Sequence, residues 1–304
     1  MLIRSLRPRS FNINNPRILG LIFMAPTMLA VFWFLAVPLI VSMGLSFMRH
    51  SPRNPHLNGF IGLRNYIQLL GDEYVMNAIW RTALFSFVSV FFEIILGLGI
   101  ALILDQKFKG RGLMRAIIIL PWALPSIVNG VMWRWIYNAD YGALNALLTQ
   151  LGLMGGYKAW LADSFWAMAG VILANVWKET PFTVIMVLAA LQGIPTELYE
   201  AARVDGATAW QSLRRITLPL LTPVLMICAL LQVIWSFQTF DLIYVVTAGG
   251  PYGSTEVISY RIYLQVFKFL KFGYGSAMAY LASIILLIPS IFYIRAAYRN
   301  IVEY

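Results

Sequence analysis

The chain has 304 residues, of which 60% are hydrophobic and only 12% charged, with a mean hydropathy of +0.73. A soluble domain carries about twice that charged fraction, so an ordinary water-soluble enzyme is excluded, and the wealth of large apolar side chains excludes a disordered chain. The net charge of +10 is spread over short connections without an arginine stripe or stacking aromatics, which points to a membrane surface and not to nucleic acid.

Crossing the hydrocarbon layer takes roughly 20 mostly apolar residues. Six stretches meet that length, at about 18–48, 82–104, 116–137, 165–191, 216–240 and 275–294. The first has no ionisable side chain between Ile18 and Met48. It is far longer than the roughly 7–15-residue core of a secretory signal, and it reads as a retained helix despite Arg4, Arg7, Arg9 and Arg17 ahead of it. Glu93 interrupts the second stretch, Arg134 lies near the end of the third, and the fourth contains adjacent Lys178 and Glu179. The expected fold class is an all-α integral membrane protein with six transmembrane helices, residues 1–304 forming one transmembrane domain.

An even number of spans puts both termini on one side. That side gathers thirteen of the 23 basic residues, Lys107, Lys109, Arg111, Arg115, Arg203, Arg214, Arg215 and Arg295 among them. Eight lie opposite, including Arg49, Arg53, Arg81, Lys158 and Lys271. The positive-inside rule then assigns both termini to the cytoplasm, and Trp80, Trp133, Trp135, Trp160 and Trp166 all fall at the outer interface, where indole rings collect.

Among the connections, 49–81 contains Pro52, Pro55, Gly59 and Gly62 and reads as an outer lid with a short helix near Asn65–Leu70. The Gly-rich segment from Asp140 to Asp163 is also expected outside. Tyr263, Val266, Phe267 and Leu270 share one face of a helix, either interfacial or an ordinary short core helix.

The inner connection at 192–219 is more than a linker. Pro195 suits the first turn of a helix, Thr196 with Tyr199 and Glu200 fits a capped start, and Gly206 stands where a left-handed residue would end it. Leu198, Ala201 and Ala202 share one side, so the helix has the form of a docking knob with a small-residue face.

Glu200-Ala201-Ala202, then Gly206, then Ile216 and Leu218-Pro219, resembles the EAA motif of permease subunits of bacterial ABC importers, in particular the sugar-uptake branch of the maltose and glycerol-phosphate type. Ile119-Leu120-Pro121 with Pro125, Trp177 with Pro181-Phe182, Thr247-Ala248-Gly249-Gly250-Pro251 and Gly273-Tyr274-Gly275-Ser276-Ala277 continue the resemblance through almost the whole chain after Pro26. It implies the type I ABC importer permease fold and a coupling helix in which Glu200, Ala201, Ala202, Asp205 and Gly206 dock on an ATP-hydrolysing subunit. It further implies a second homologous permease subunit, two ATPase subunits that bind the ATP and Mg, an extracytoplasmic solute-binding protein, and residence in the bacterial cytoplasmic (inner) membrane in contact with membrane lipid.

No catalytic machinery is expected in the chain, and no cofactor. Gly249-Gly250-Pro251-Tyr252-Gly253-Ser254 lacks the lysine of a phosphate loop, there is no His/Cys cluster for a metal, and no nucleophile elbow occurs. Ionisable residues inside spans default to a pathway or pairing role. Glu93 reads as a structural pairing group, across a subunit interface being one option, Arg134 as snorkelling to the surface, and Asp241 as solvated or tied to the Gly-rich loop. Lys178 and Glu179, between Trp177 and a helix break at Pro181, are expected to face a cavity. Gln232, Trp235 or Ser236, and Thr239 form a polar stripe on the fifth span, with Gln238 beside it. Amide, hydroxyl and indole together suit a sugar, although helix-to-helix hydrogen bonding explains such a stripe equally well. The expected substrate surface is Lys178, Glu179 and Phe182 facing Gln232, Trp235, Ser236 and Thr239.

The resulting expectation is a permease that carries a sugar, oligosaccharide or polyol inward by alternating access, driven by ATP hydrolysed elsewhere. Two alternatives stand beside it: an ion-coupled secondary carrier, whose transport would collapse with the ion gradient, and a non-transporting structural subunit, whose residues would not affect substrate choice.

Overall fold

The computed structural model describes residues 16–301, most of them helical. Arg4, Arg7 and Arg9, which weigh in the orientation argument, lie outside the described residues, as do the side chains of Arg17 and Arg299.

Helix α1 (Pro16–Val31) runs through a π-helical turn at Phe32–Ala36 into α2 (Val37–Ser46), and together they make the first span. A two-stranded hairpin follows, β1 (Met48–Arg49) antiparallel to β2 (Gly59–Phe60), then α3 (Arg64–Leu70), the short helix expected in the outer connection. Asp72 caps α4 (Glu73–Asp105) by accepting from the Tyr74 and Val75 amides. At 33 residues, α4 is about 50 Å long and extends the second span well beyond its apolar stretch.

The third span differs from the continuous helix expected over 116–137. It consists of α5 (Arg111–Ala123) and α6 (Ser126–Ile136), bent by 97° between them. Pro125 forces the bend: it has no N–H to continue the ladder and drives Leu124 into extended backbone at ψ 136. The described residues thus contain five single helices long and apolar enough to span, and this bent pair as the sixth element.

After α7 (Ala143–Gln150), α8 (Ser164–Gln192) is capped by Asp163 and runs unbroken past Pro181, which corrects the expected break there. The inner connection folds as α9 (Thr196–Val204) and α10 (Ala209–Ser212), and a π-helical turn at Leu213–Thr217 leads into α11 (Leu218–Gln238). The chain closes with α12 (Asp241–Val246), α13 (Ile258–Tyr263), a π-helical turn at Leu264–Lys268 and α14 (Phe272–Ile301). The helix expected through Leu270 stops at Lys268, because Leu270 takes a positive φ of 56°.

Helix α4 lies along α8, and α11 packs against both. Gly97 makes that approach possible, since a Cβ there would stand 2.5 Å from the Thr183 side chain. Near the tryptophan-rich end the core is built on Phe85, Val171, Ile243 and Tyr260; near the α9 end it is built on Ala101, Leu104, Val187 and Leu221. A third cluster joins α3, α4, α13 and α14 through Leu69, Val75, Ile258 and Met278. Glu93 and the Lys178/Glu179 pair fall between the first two clusters along α4 and α8, so the polar layer sits at mid-height with apolar packing on both sides.

Candidate translocation site and coupling helix

Helices α4, α6, α8 and α11 and the start of α12 line a cavity of about 240 Å³. Six of the seven residues expected to line a substrate surface meet there: Lys178 and Glu179 from α8, and Gln232, Trp235, Ser236 and Thr239 at the end of α11. Phe182 does not line the cavity. It packs edge-on against Trp235 at a centroid distance of 4.8 Å and lies tilted against Trp122 of α5 at 6.1 Å, and so supports the Trp235 indole.

Lys178 Nζ pairs with Glu179 Oε1 at 2.5 Å, and the two side chains are 13% and 17% exposed, so their charges cancel locally. Glu93 accepts from Asn175 Nδ2 at 2.8 Å, a partner within the same chain. Gln232 Nε2 donates to Thr183 Oγ1 at 2.9 Å, and Ser236 Oγ donates to Ser86 Oγ at 2.6 Å. These two members of the stripe therefore do both things the sequence left open: they tie α11 to α8 and α4, and they edge the cavity. Thr239 Oγ1 bonds back to the Trp235 carbonyl, and the Thr239 carbonyl accepts from Ser259. Asp241, at the first turn of α12, lines the cavity wall. Arg134 is exposed and reaches the Val245 carbonyl at 3.3 Å.

The residue the sequence reading overlooked is Asn129. It sits one turn into α6, 1% exposed, lines the cavity, and neither its Nδ2 nor its Oδ1 has a partner. Gln232 Oε1 is likewise buried without a partner. Buried amides in folded proteins are nearly always satisfied, so two unpaired ones on one cavity mark a place where polar ligand atoms or water belong. The signal was present in sequence as an amide shortly after Pro125 inside an apolar run, but its importance depends on the 97° bend that turns α6 to the cavity.

At the other end, α9 stands clear of the bundle. Its N-cap is Pro195, with no side-chain cap, which corrects the expected capped start at Thr196; a full capping box forms instead between Thr208 and Gln211 at α10. The C-terminus closes as expected. Gly206 adopts φ +75°, its amide bonds the Arg203 carbonyl at 3.1 Å, and the Ala207 amide bonds the Ala202 carbonyl at 2.8 Å, the paired bonds of a Schellman motif. Tyr199 OH meets Thr217 Oγ1 at 3.0 Å and fixes α9 to the foot of α11. Glu200, Ala201, Asp205 and Gly206 are exposed and Ala202 is half-buried; apolar Leu198, Val204 (88% exposed) and Trp210 are also left open. The knob is thus tied by a side-chain hydrogen bond to the foot of a helix that lines the cavity.

A bundle with a mid-membrane polar cavity and a protruding helix between two spans defines a membrane transport subunit driven from outside itself. Residues 93–303 match the family described as "Binding-protein-dependent transport system inner membrane component". The chain belongs to that family and is the membrane-spanning permease subunit of an ABC importer, with ATP hydrolysis on a separate partner. It is 39% identical to the trehalose/maltose transport system permease protein MalF of Thermococcus litoralis, over 91% of this chain and 92% of that one. It is 35% identical to the sulfoquinovosyl glycerol transport system permease protein SmoG of Agrobacterium fabrum, over 86% and 85%. Among solved structures it resembles a chain of a bacterial ABC transporter involved in the import of the acidic polysaccharide alginate, with a TM-score of 0.81, 26% identity and coverage of 94% and 97%.

Proposed function

We propose that this subunit, paired with a second homologous permease, carries an uncharged sugar, oligosaccharide or polyol into the cell through the cavity between α6, α8 and α11. The unpartnered amides of Asn129 and Gln232 beside the Trp235 indole carry this reading. Hydroxyl groups satisfy amides, and the C–H face of a sugar ring packs on an indole. The names of the two relatives support a carbohydrate. The cavity's own charges favour a neutral one: Glu93, Glu179 and Asp241 face a single ammonium, Lys178, and no arginine stands ready for an anion.

In the full assembly, two ATPase subunits bind ATP and Mg and receive α9, with Glu200, Ala201, Ala202, Asp205 and Gly206 at the contact. An extracytoplasmic binding protein delivers the solute at the opposite, tryptophan-rich end. Both termini then lie in the cytoplasm, in keeping with the basic residues of the α4–α5 connection and of the α9 to α11 segment. Closure around bound ATP opens the cavity outward, and hydrolysis returns it inward. The direct test is co-purification with native mass spectrometry. The proposal expects one second permease, two copies of ATPase and a neutral carbohydrate retained by the associated binding protein; an acidic solute in that position would overturn the substrate class.

A further inference from the structure

A second, larger cavity of about 820 Å³ lies on the outside of the bundle, between α4 and α8. Trp80, Leu84, Val88, Phe92 and Leu96 line it from α4 at steps of four residues, one continuous stripe roughly 24 Å long. Met168, Ile172 and Val176 face them from α8. Its polar groups are confined to one end. There Arg81, Ser164 and Ser254 come together, beside the loop that follows α12. Among the described residues Arg81 makes no salt bridge and no hydrogen bond; Glu256, the acid of that loop, pairs through Oε1 with Arg261 at 3.0 Å. Ser254 Oγ is buried and has no partner either. Trp80 is exposed at this same end, as an interfacial indole would be.

We infer that this groove is a binding site for one anionic glycerophospholipid, with its phosphodiester on Arg81 and the Ser254 hydroxyl and an acyl chain laid along the Leu84-to-Leu96 stripe. The polarity gradient matches an amphiphile: a cation and a free hydroxyl at the water interface, then hydrocarbon walls only. The length of the stripe exceeds the roughly 15 Å from interface to bilayer centre, so one chain fits within the leaflet on the Trp80 side. A phosphate satisfies both unpartnered polar groups at once, through a charge-assisted bond to the guanidinium. That leaflet is the extracytoplasmic one under the orientation proposed above, but lipid occupancy does not depend on what the cavity on the other side of α8 transports.

The assembled, detergent-purified importer, incubated with phosphatidylglycerol or with phosphatidylcholine and examined by native mass spectrometry, tests the site. One phosphatidylglycerol per copy of this chain should survive detergent that strips phosphatidylcholine. Arg81→Gln should lower its occupancy about tenfold, Val88→Trp should lower it by filling the groove, and Arg53→Gln, elsewhere on the same face, should not change it. A photo-crosslinker at Val88 should label lipid. Equal retention by Arg81→Gln and Val88→Trp, an equal loss in Arg53→Gln, or labelling of a partner permease helix in place of lipid would each overturn the proposal.

Discussion

Gln232 Nε2 donates to Thr183 Oγ1 at 2.9 Å while Gln232 Oε1 stays buried and unpartnered, so one amide both joins α11 to α8 and offers an acceptor at the cavity. The two roles separate in mutants. Gln232→Glu keeps the shape and an acceptor but removes the donor to Thr183 and places a fourth carboxylate among the residues of the cavity wall. It should lower the thermal stability of the purified complex as well as uptake, whereas a residue facing only the substrate should lower uptake alone.

Asn129 is the second kind of residue under the proposed route, since it lines the cavity and ties no helix to another. Asn129→Ala removes two polar atoms that have no partner among the described residues, so stability should be unchanged or slightly raised. Losing a buried hydrogen bond to a hydroxyl costs roughly 1–3 kcal/mol, and uptake at low solute concentration should fall about 10- to 100-fold. Thermal unfolding and initial uptake rates, measured on one preparation, check both halves.

The Lys178–Glu179 pair predicts a non-additive result. Glu179→Ala removes the one carboxylate in direct contact with the Lys178 ammonium, which is 13% exposed, and costs roughly 1–3 kcal/mol with allowance for water in the cavity. Lys178→Met combined with Glu179→Ala should recover most of that stability. A double-mutant cycle on the unfolding midpoint measures the coupling.

Gly206→Val places a β-branched residue at φ +75°, where it is strained by about 1–2 kcal/mol and opens the Schellman turn that ends α9. The membrane bundle is untouched. ATPase stimulation by the binding protein should fall while helix content and expression hold; stimulation at the wild-type level would remove α9 from the coupling path.

Gly97→Val drives a side chain into Thr183, against which even a Cβ would stand at 2.5 Å. It should push α4 from α8 and destabilise the bundle by several kcal/mol. The loss of folded protein in detergent reports it.

Much of this architecture is legible in the sequence because a membrane imposes a simple rule: long apolar runs become spans, and α4, α8, α11 and α14 lie where those runs lie. The coupling helix is legible for a local reason, since Gly206 needs only its own backbone to end α9. The misses are tertiary. Pro125 breaks and bends its span while Pro181 does not interrupt its helix, although both lie in apolar runs. Helix α8 continues through Pro181, which is buried along with Thr180, while Leu124 before Pro125 leaves the helix altogether. Phe182 and Trp235 share a face with the polar residues in sequence, yet only Trp235 reaches the cavity, because Phe182 fills the space behind it. Asn129 carries no motif at all; its meaning comes from what fails to bond with it.

The measurement that bears most directly on the proposed route is ATP-driven uptake into proteoliposomes holding the complete importer and its binding protein, with wild-type chain and with Asn129→Ala. Neutral oligosaccharides and their uronic-acid counterparts are offered in parallel. The cavity as described predicts uptake of a neutral sugar only when ATP is hydrolysed, rejection of the acidic series, and a 10- to 100-fold fall in Asn129→Ala while its basal ATPase rate is kept. Wild-type uptake of every sugar by Asn129→Ala, or preference for the acidic series, would contradict it.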